Sequence, residues 1–109
     1  MKIVFSERVF WFIQRISAIT NLILLFWFFI SIQGFNILDY NETKEWVKKD
    51  FNTILILLTF SSITLHASMG VSVIIDDYIH SNYKRKIIYF KNFIAVIFLI
   101  ILGFCLYLI

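Results

Sequence analysis

Three long apolar runs are the feature of this sequence that most restricts its fold. They cover about residues 9–33, 51–75 and 87–109, and each is near the roughly 20 residues that a helix needs to cross about 30 Å of hydrocarbon. Lipid cannot hydrogen-bond the backbone, so such a run is either a helix or part of a closed barrel, whose strands alternate over about 10 residues. No such alternation is visible. The sequence therefore predicts an all-α integral membrane protein with a bundle of three transmembrane helices.

The composition agrees with this prediction and excludes several other classes. Hydrophobic residues make up 61% of the 109 residues, against about 45 to 50% in ordinary globular domains. A dispersed net charge of +3 does not suggest a nucleic-acid partner, which would require clustered positive charge. The single cysteine, Cys105, lies in an apolar run, so no disulfide framework or C-x-x-C motif is present. We expect one domain over residues 1–109.

The distribution of Lys and Arg predicts the orientation in the membrane. Three cations in the first loop are mixed with four acids, whereas seven cations lie before or within the first run and around the second loop. The seven are Lys2, Arg8, Arg15, Lys84, Arg85, Lys86 and Lys91. The positive-inside rule then places the N-terminus and the second loop in the cytoplasm and the C-terminus outside. The first run, at about 25 residues, is too long for the 7 to 15 apolar residues of a secretory signal, so we expect a retained span.

His66, well inside the second apolar run, is the most informative ionisable residue. A neutral imidazole has one N–H donor and one bare nitrogen, and lipid satisfies neither. The ring therefore either hydrogen-bonds a neighbouring backbone or hydroxyl group or binds a metal. Gly70 lies on the same helix face one turn further on and leaves room for a flat, bulky group beside the ring. Five hydroxyl residues flank His66 and either pack against other helices or hydrogen-bond the ring: Ser61, Ser62, Thr64, Ser68 and Ser72.

Asp77 and Tyr78 follow at the cytoplasmic end of the same run. Eleven residues beyond His66, a helix returns to within about 20° of the starting direction and rises about 16 Å, so Asp77 shares the face of His66. Taken alone, Tyr78 is typical of an interfacial aromatic belt, Asp77 of a helix end in contact with water, and Arg15 of a positive-inside determinant.

The spacing of His66, Gly70, Asp77 and Tyr78 in HASMGVSVIIDDYIH resembles the smaller membrane-anchor subunit of succinate dehydrogenase, respiratory complex II. The first run, FWFIQRISAITNLILL, is similar to the first helix of that subunit, with Arg15 at the family's arginine. The three-helix length and the cytoplasmic N-terminus also agree. The resemblance covers nearly the whole chain, but its specificity depends on these few positions.

The resemblance implies a role for each of these residues. His66 would be one axial ligand of a b-type haem, Gly70 would leave clearance for the haem, and Arg15 would contact a haem propionate. Tyr78 and Asp77 would belong to the ubiquinone site. The chain would then be half of a two-subunit anchor, with a larger cytochrome b subunit as its partner. This anchor would attach the iron-sulfur and flavoprotein subunits to the bacterial inner membrane, while the chain itself holds no flavin and no iron-sulfur cluster.

Two other classes stay open from the sequence. One is the anchor of a related fumarate reductase, which in a haem-free form has no need of His66. The other is a non-catalytic small membrane protein, such as a transporter protomer or a pore-former. The absence of a charged face repeated through the three runs argues against the second class.

Overall fold

The computed structural model describes residues 7–109, and this part of the chain contains helices and no strand. The helices are α1 (Glu7–Ser31), α2 (Tyr40–Lys48), α3 (Asp50–Tyr78) and α4 (Lys84–Leu108), with a short 3-10 turn at Ile32–Gly34. Three of them, α1, α3 and α4, are long and apolar enough to cross a membrane. The described chain measures 50 × 26 × 21 Å, so its long axis exceeds the hydrocarbon thickness of about 30 Å. The predicted all-α, three-span architecture is confirmed.

The observed helices extend further into the second loop than the apolar pattern indicates. Helix α3 continues beyond residue 75 to Tyr78, and α4 begins before residue 87, at Lys84. Residues 79–83 alone connect the two helices. Asp76 and Asp77 are therefore held on the last turn of α3 and not in a loop.

Helix α2 lies within the first polar stretch and was not predicted. Asp39 begins it, because its carboxylate accepts hydrogen bonds from the backbone N–H groups of Asn41 and Glu42 at 2.8 and 3.1 Å. Such a cap satisfies donors that have no partner within the helix. The Glu42 carboxylate in turn accepts a bond of 2.8 Å from the Asn36 N–H, which closes the preceding loop.

The junction between α2 and α3 is fixed by side chains at the start of α3. The Asn52 amide donates to the Trp46 carbonyl at 2.8 Å, and the Thr53 hydroxyl donates to the Val47 carbonyl. These bonds satisfy carbonyl groups at the end of α2. Trp46 also stacks on Trp27 of α1, with 6.0 Å between the ring centroids, so α2 is held against the ends of both spans.

Helix α3 is the central span, and it packs against both α1 and α4. Ser17 of α1 contacts His66, and Asn21, one turn later on α1, contacts Ser62, one turn earlier on α3. The contacts run in opposite directions along the two helices, so α1 and α3 are antiparallel. The start of α1, the end of α3 and the start of α4 therefore lie at one end of the bundle.

Few side chains are buried inside the described chain, and several of these are polar. The buried residues are Ser17, Asn52, Ile56, Thr59 and Ile75. Most of the large apolar side chains of the three spans are exposed. Contiguous apolar surface of this extent contacts lipid or another protein, which agrees with a chain that spans a membrane.

Candidate functional site

His66 lies on the face of α3 that packs against α1. Its Nδ1 atom is 2.8 Å from the Ser17 hydroxyl oxygen. This is the only hydrogen bond of the His66 ring within residues 7–109. Nε2 has no hydrogen-bond partner within residues 7–109. Every fully buried side-chain nitrogen or oxygen in these residues has a partner, so Nε2 is not fully buried. One ring nitrogen is therefore satisfied by α1, and the other is open to a group from outside residues 7–109.

The contact of Ser17 with the His66 ring was not predicted from the sequence. None of the five hydroxyl residues that flank His66 on α3 bonds to the ring; Thr64 and Ser72, for example, donate to carbonyls of their own helix. Ser17 is buried and sits in an apolar run two positions after Arg15. Ser17 and Asn21, four positions apart on one face of the first run, are the signal that points to it, since such polar residues occur at close helix contacts in membranes.

A second polar contact lies one turn from His66 in the same helix interface. The Ser62 hydroxyl donates to the Asn21 side-chain carbonyl at 2.5 Å. Together with the Ser17 contact it forms a polar seam between α1 and α3, which fixes how the two helices are rotated about their axes. Hydrogen bonds between membrane helices contribute about 0.6 to 2 kcal/mol each.

Gly70 lies one turn beyond His66 on the same face of α3. A Cβ atom built at Gly70 would have no heavy atom of a neighbouring element within 4 Å. Packing within this chain therefore does not explain the glycine. The role of Gly70 as clearance for a haem stays a prediction.

Asp77 and Tyr78 lie together at the end of α3, and both are exposed; Tyr78 is 80% exposed. The preceding acid, Asp76, forms an ion pair with Lys84 at 2.8 Å. Within residues 7–109 Asp77 has no ion pair and Tyr78 has no side-chain hydrogen bond. The structure thus gives Asp76 a contact within the chain and leaves the two predicted quinone-site residues open.

Arg15 is not brought to His66. It is exposed, and its guanidinium lies 5.4 Å from the ring centroid of Trp11 on the same helix. Two positions along a helix correspond to about 200° of rotation, so Arg15 faces away from Ser17 and the α1–α3 interface. The contact with a haem propionate stays a prediction.

Lys91 forms a separate polar site between α4 and α3. Its ammonium group donates to the Ser68 carbonyl at 2.9 Å, to the Ser68 hydroxyl at 3.0 Å and to the Ser72 hydroxyl at 2.5 Å. From the sequence, Lys91 was only one of the cations that predict the orientation in the membrane. In the structure it joins two spans, and its three N–H donors are satisfied by α3.

These features define a class of protein. The chain is a multi-pass membrane protein whose central helix presents one accessible histidine nitrogen, and residues 7–109 contain no group of three or more His, Cys, Asp or Glu side chains suited to a metal ion. Residues 6–102 match the family described as "Succinate dehydrogenase/Fumarate reductase transmembrane subunit". The chain belongs to this family.

Curated relatives agree with the family assignment. The chain is 30% identical over 78 residues to the "Succinate dehydrogenase hydrophobic membrane anchor subunit" of Rickettsia typhi, and the match covers 70% of this chain and 61% of the relative. It is equally similar to the subunit of the same name from Rickettsia prowazekii, with the same coverage. The chain thus spans less than two thirds of the length of these relatives. No solved structure is significantly similar to the chain.

The residues around His66 fit one protein ligand of a b-type haem. Haem iron binds an imidazole nitrogen, and Nε2 of His66 is accessible and has no partner within residues 7–109. Gly70, four residues further on along the same helix face, has no neighbouring atom within 4 Å of the position of a Cβ.

Proposed function

We propose that the chain is the small membrane-anchor subunit of a succinate dehydrogenase that reduces ubiquinone. The observation that supports this most directly is the His66 ring: Nδ1 is bound by Ser17, Nε2 is open, and Gly70 leaves space beside it. In this proposal His66 binds the iron of haem b, and a larger cytochrome b anchor subunit supplies the second ligand. The bound haem supplies a one-electron carrier between the two subunits.

Tyr78 and Asp77 form this chain's part of the ubiquinone site. Reduction of a quinone takes up two electrons and two protons. The Tyr78 hydroxyl donates a hydrogen bond to a quinone carbonyl, which stabilises the negative charge that develops on that oxygen. The Asp77 carboxylate, exposed at the same helix end, passes protons from water to the reduced quinone. Both groups are open in the structure, as a site shared between subunits requires.

The proposed complex lies in the bacterial inner membrane, with the start of α1 and the 79–83 connection in the cytoplasm and the C-terminus in the periplasm. Six of the seven cations used for this orientation lie in the described chain, and Lys2 lies outside it. The end of the bundle with Asp77 and Tyr78 then faces the cytoplasm. The iron-sulfur subunit, with the flavoprotein subunit bound to it, docks on that side and delivers electrons.

The test is the absorption spectrum of the purified complex from wild-type and His66→Leu membranes. We expect a reduced b-type haem spectrum in the wild type and its loss in the variant, while the chain still inserts. His80→Gln is the matched control, because His80 is the other histidine of the chain and is exposed in the 79–83 connection; it should retain the spectrum. A haem-free wild-type complex would favour a haem-free fumarate reductase anchor. A homo-oligomer without peripheral subunits would favour a non-catalytic membrane protein.

A further inference from the structure

We propose that Ser17 is the positioning residue that holds His66 in the tautomer whose Nε2 is free to bind iron. The proposal rests on the proposed function, because it concerns how the ligand is prepared. It goes beyond that function in assigning a role to α1, whose Ser17 would itself not touch the haem.

The positions of three polar atoms determine which group donates. The Ser17 hydroxyl oxygen lies 2.9 Å from the Gln14 carbonyl oxygen and 2.8 Å from Nδ1 of His66. A serine hydroxyl has a single hydrogen and two acceptor lone pairs. The Gln14 carbonyl has no hydrogen, so the hydroxyl must donate to it for this short contact to be favourable. The hydroxyl hydrogen is then no longer available to Nδ1.

It follows that Nδ1 of His66 donates its N–H to the Ser17 oxygen. In a neutral imidazole one nitrogen has the hydrogen and the other has a lone pair. With the hydrogen on Nδ1, the lone pair is on Nε2, the atom that has no partner within residues 7–109. The hydrogen bond of one nitrogen sets which of the two binds a metal.

Burial makes this arrangement rigid. Ser17 is 6% exposed, so water does not compete for its oxygen. The bond to the Gln14 carbonyl, within the same helix, fixes the Ser17 side-chain rotamer, and the neighbouring contact of Ser62 with Asn21 fixes the rotation of the two helices. The imidazole plane is therefore oriented by α1 before any ligand binds.

A hydrogen bond from Nδ1 also changes the electronic properties of the ligand. An acceptor at the N–H of a metal-bound histidine raises the basicity of the other nitrogen and keeps the ring oriented. A more basic imidazole stabilises ferric over ferrous iron, so the contact lowers the reduction potential of the haem. Loss of the Ser17 hydroxyl should raise that potential.

The experiment uses the intact complex with Ser17→Ala, and it measures haem content, haem midpoint potential and the low-spin ferric EPR signal. We expect haem to stay bound, the midpoint potential to rise, and the highest g value to shift as the imidazole plane is released. Thr20→Val is the matched control: its hydroxyl donates to the Ile16 carbonyl of the same helix at 2.9 Å and bonds to no other helix. This control should keep the wild-type midpoint potential and the wild-type EPR signal.

Ser17→Thr and Ser17→Cys test the same hydrogen bond if the alanine variant does not assemble. Threonine retains the hydroxyl and should restore both readouts, whereas the weaker acceptor of cysteine should give an intermediate shift. The proposal for Ser17 would be overturned if the alanine or cysteine variant assembles and keeps the wild-type haem midpoint potential and EPR signal. A wild-type complex without haem, or one that keeps its haem in His66→Leu, would instead overturn the proposed function.

Discussion

Asp76 and Lys84 form an ion pair that joins the last turn of α3 to the first turn of α4, with 2.8 Å between the carboxylate oxygen and the ammonium nitrogen. The residues between the two helices are only 79–83. The adjacent acid, Asp77, has no such partner within the described chain and is exposed. Two neighbouring carboxylates therefore differ in their contacts: Asp76 closes the connection between the spans, and Asp77 has no partner within residues 7–109.

Asp77→Asn should lower ubiquinone reductase activity by about tenfold or more, because the amide cannot pass a proton. Succinate oxidation with a soluble artificial acceptor should stay close to wild type. Asp76→Asn is the matched control, since it removes the same charge one position earlier. An exposed ion pair contributes only about 0 to 1 kcal/mol, so this control should change neither activity much. Equal losses of ubiquinone reductase activity in the two variants would show that the activity depends on the negative charge at the end of α3 and not on Asp77 itself.

Tyr78→Phe removes one exposed hydroxyl and keeps the aromatic ring. Loss of a hydrogen bond worth about 1 kcal/mol corresponds to a roughly fivefold lower rate of quinone reduction. Tyr83→Phe is the control, because Tyr83 is also exposed and lies at the start of α4. Steady-state assays with ubiquinone and with an artificial acceptor separate the two steps. A parallel decrease in both assays for Tyr78→Phe would indicate a defect in assembly and not in the quinone site.

Gly70→Leu should decrease the haem content of the complex while α3 remains folded. The new side chain enters space that is empty in this chain, and leucine is a better helix former than glycine by about 0.5 to 1 kcal/mol. The loss would therefore come from obstruction beside His66. Gly103→Leu on α4 is the control, since a side chain there also meets nothing nearby. Haem per complex, from the reduced absorption spectrum, is the measurement, and wild-type occupancy in Gly70→Leu would contradict the assigned clearance.

Lys91→Met should weaken the packing of α4 on α3. The substitution removes the three hydrogen bonds from the ammonium group to Ser68 and Ser72, and we expect a destabilisation of about 1 to 2 kcal/mol. A lower midpoint of thermal inactivation in detergent would report it. Lys86→Met is the control: Lys86 is exposed, and its ammonium nitrogen lies 5.7 Å from the ring centroid of Tyr83. If the two variants are equally stable, the bonds of Lys91 do not hold the helices together.

The spans and the face shared by His66, Gly70 and Asp77 were predictable from the sequence, because hydrocarbon thickness sets the length of an apolar run and the helical repeat sets which residues align. Helix α2 was not, because nine mostly polar residues have no apolar length signal and depend on the Asp39 cap. The Ser17 contact was not predictable either. Helices that are apolar on all sides do not indicate which face meets a neighbour, so rotation and register between α1 and α3 became visible only in the structure.

The hydrogen bond between Ser17 and His66 joins residues 49 positions apart in the chain. A ribosome that has delivered only α1 to the bilayer has made Ser17 but not yet His66. The bond forms after the second span has been threaded into the membrane beside the first. Two of the three spans must therefore be in the membrane before the orientation of the His66 ring is fixed, so this helix contact is completed late in biosynthesis.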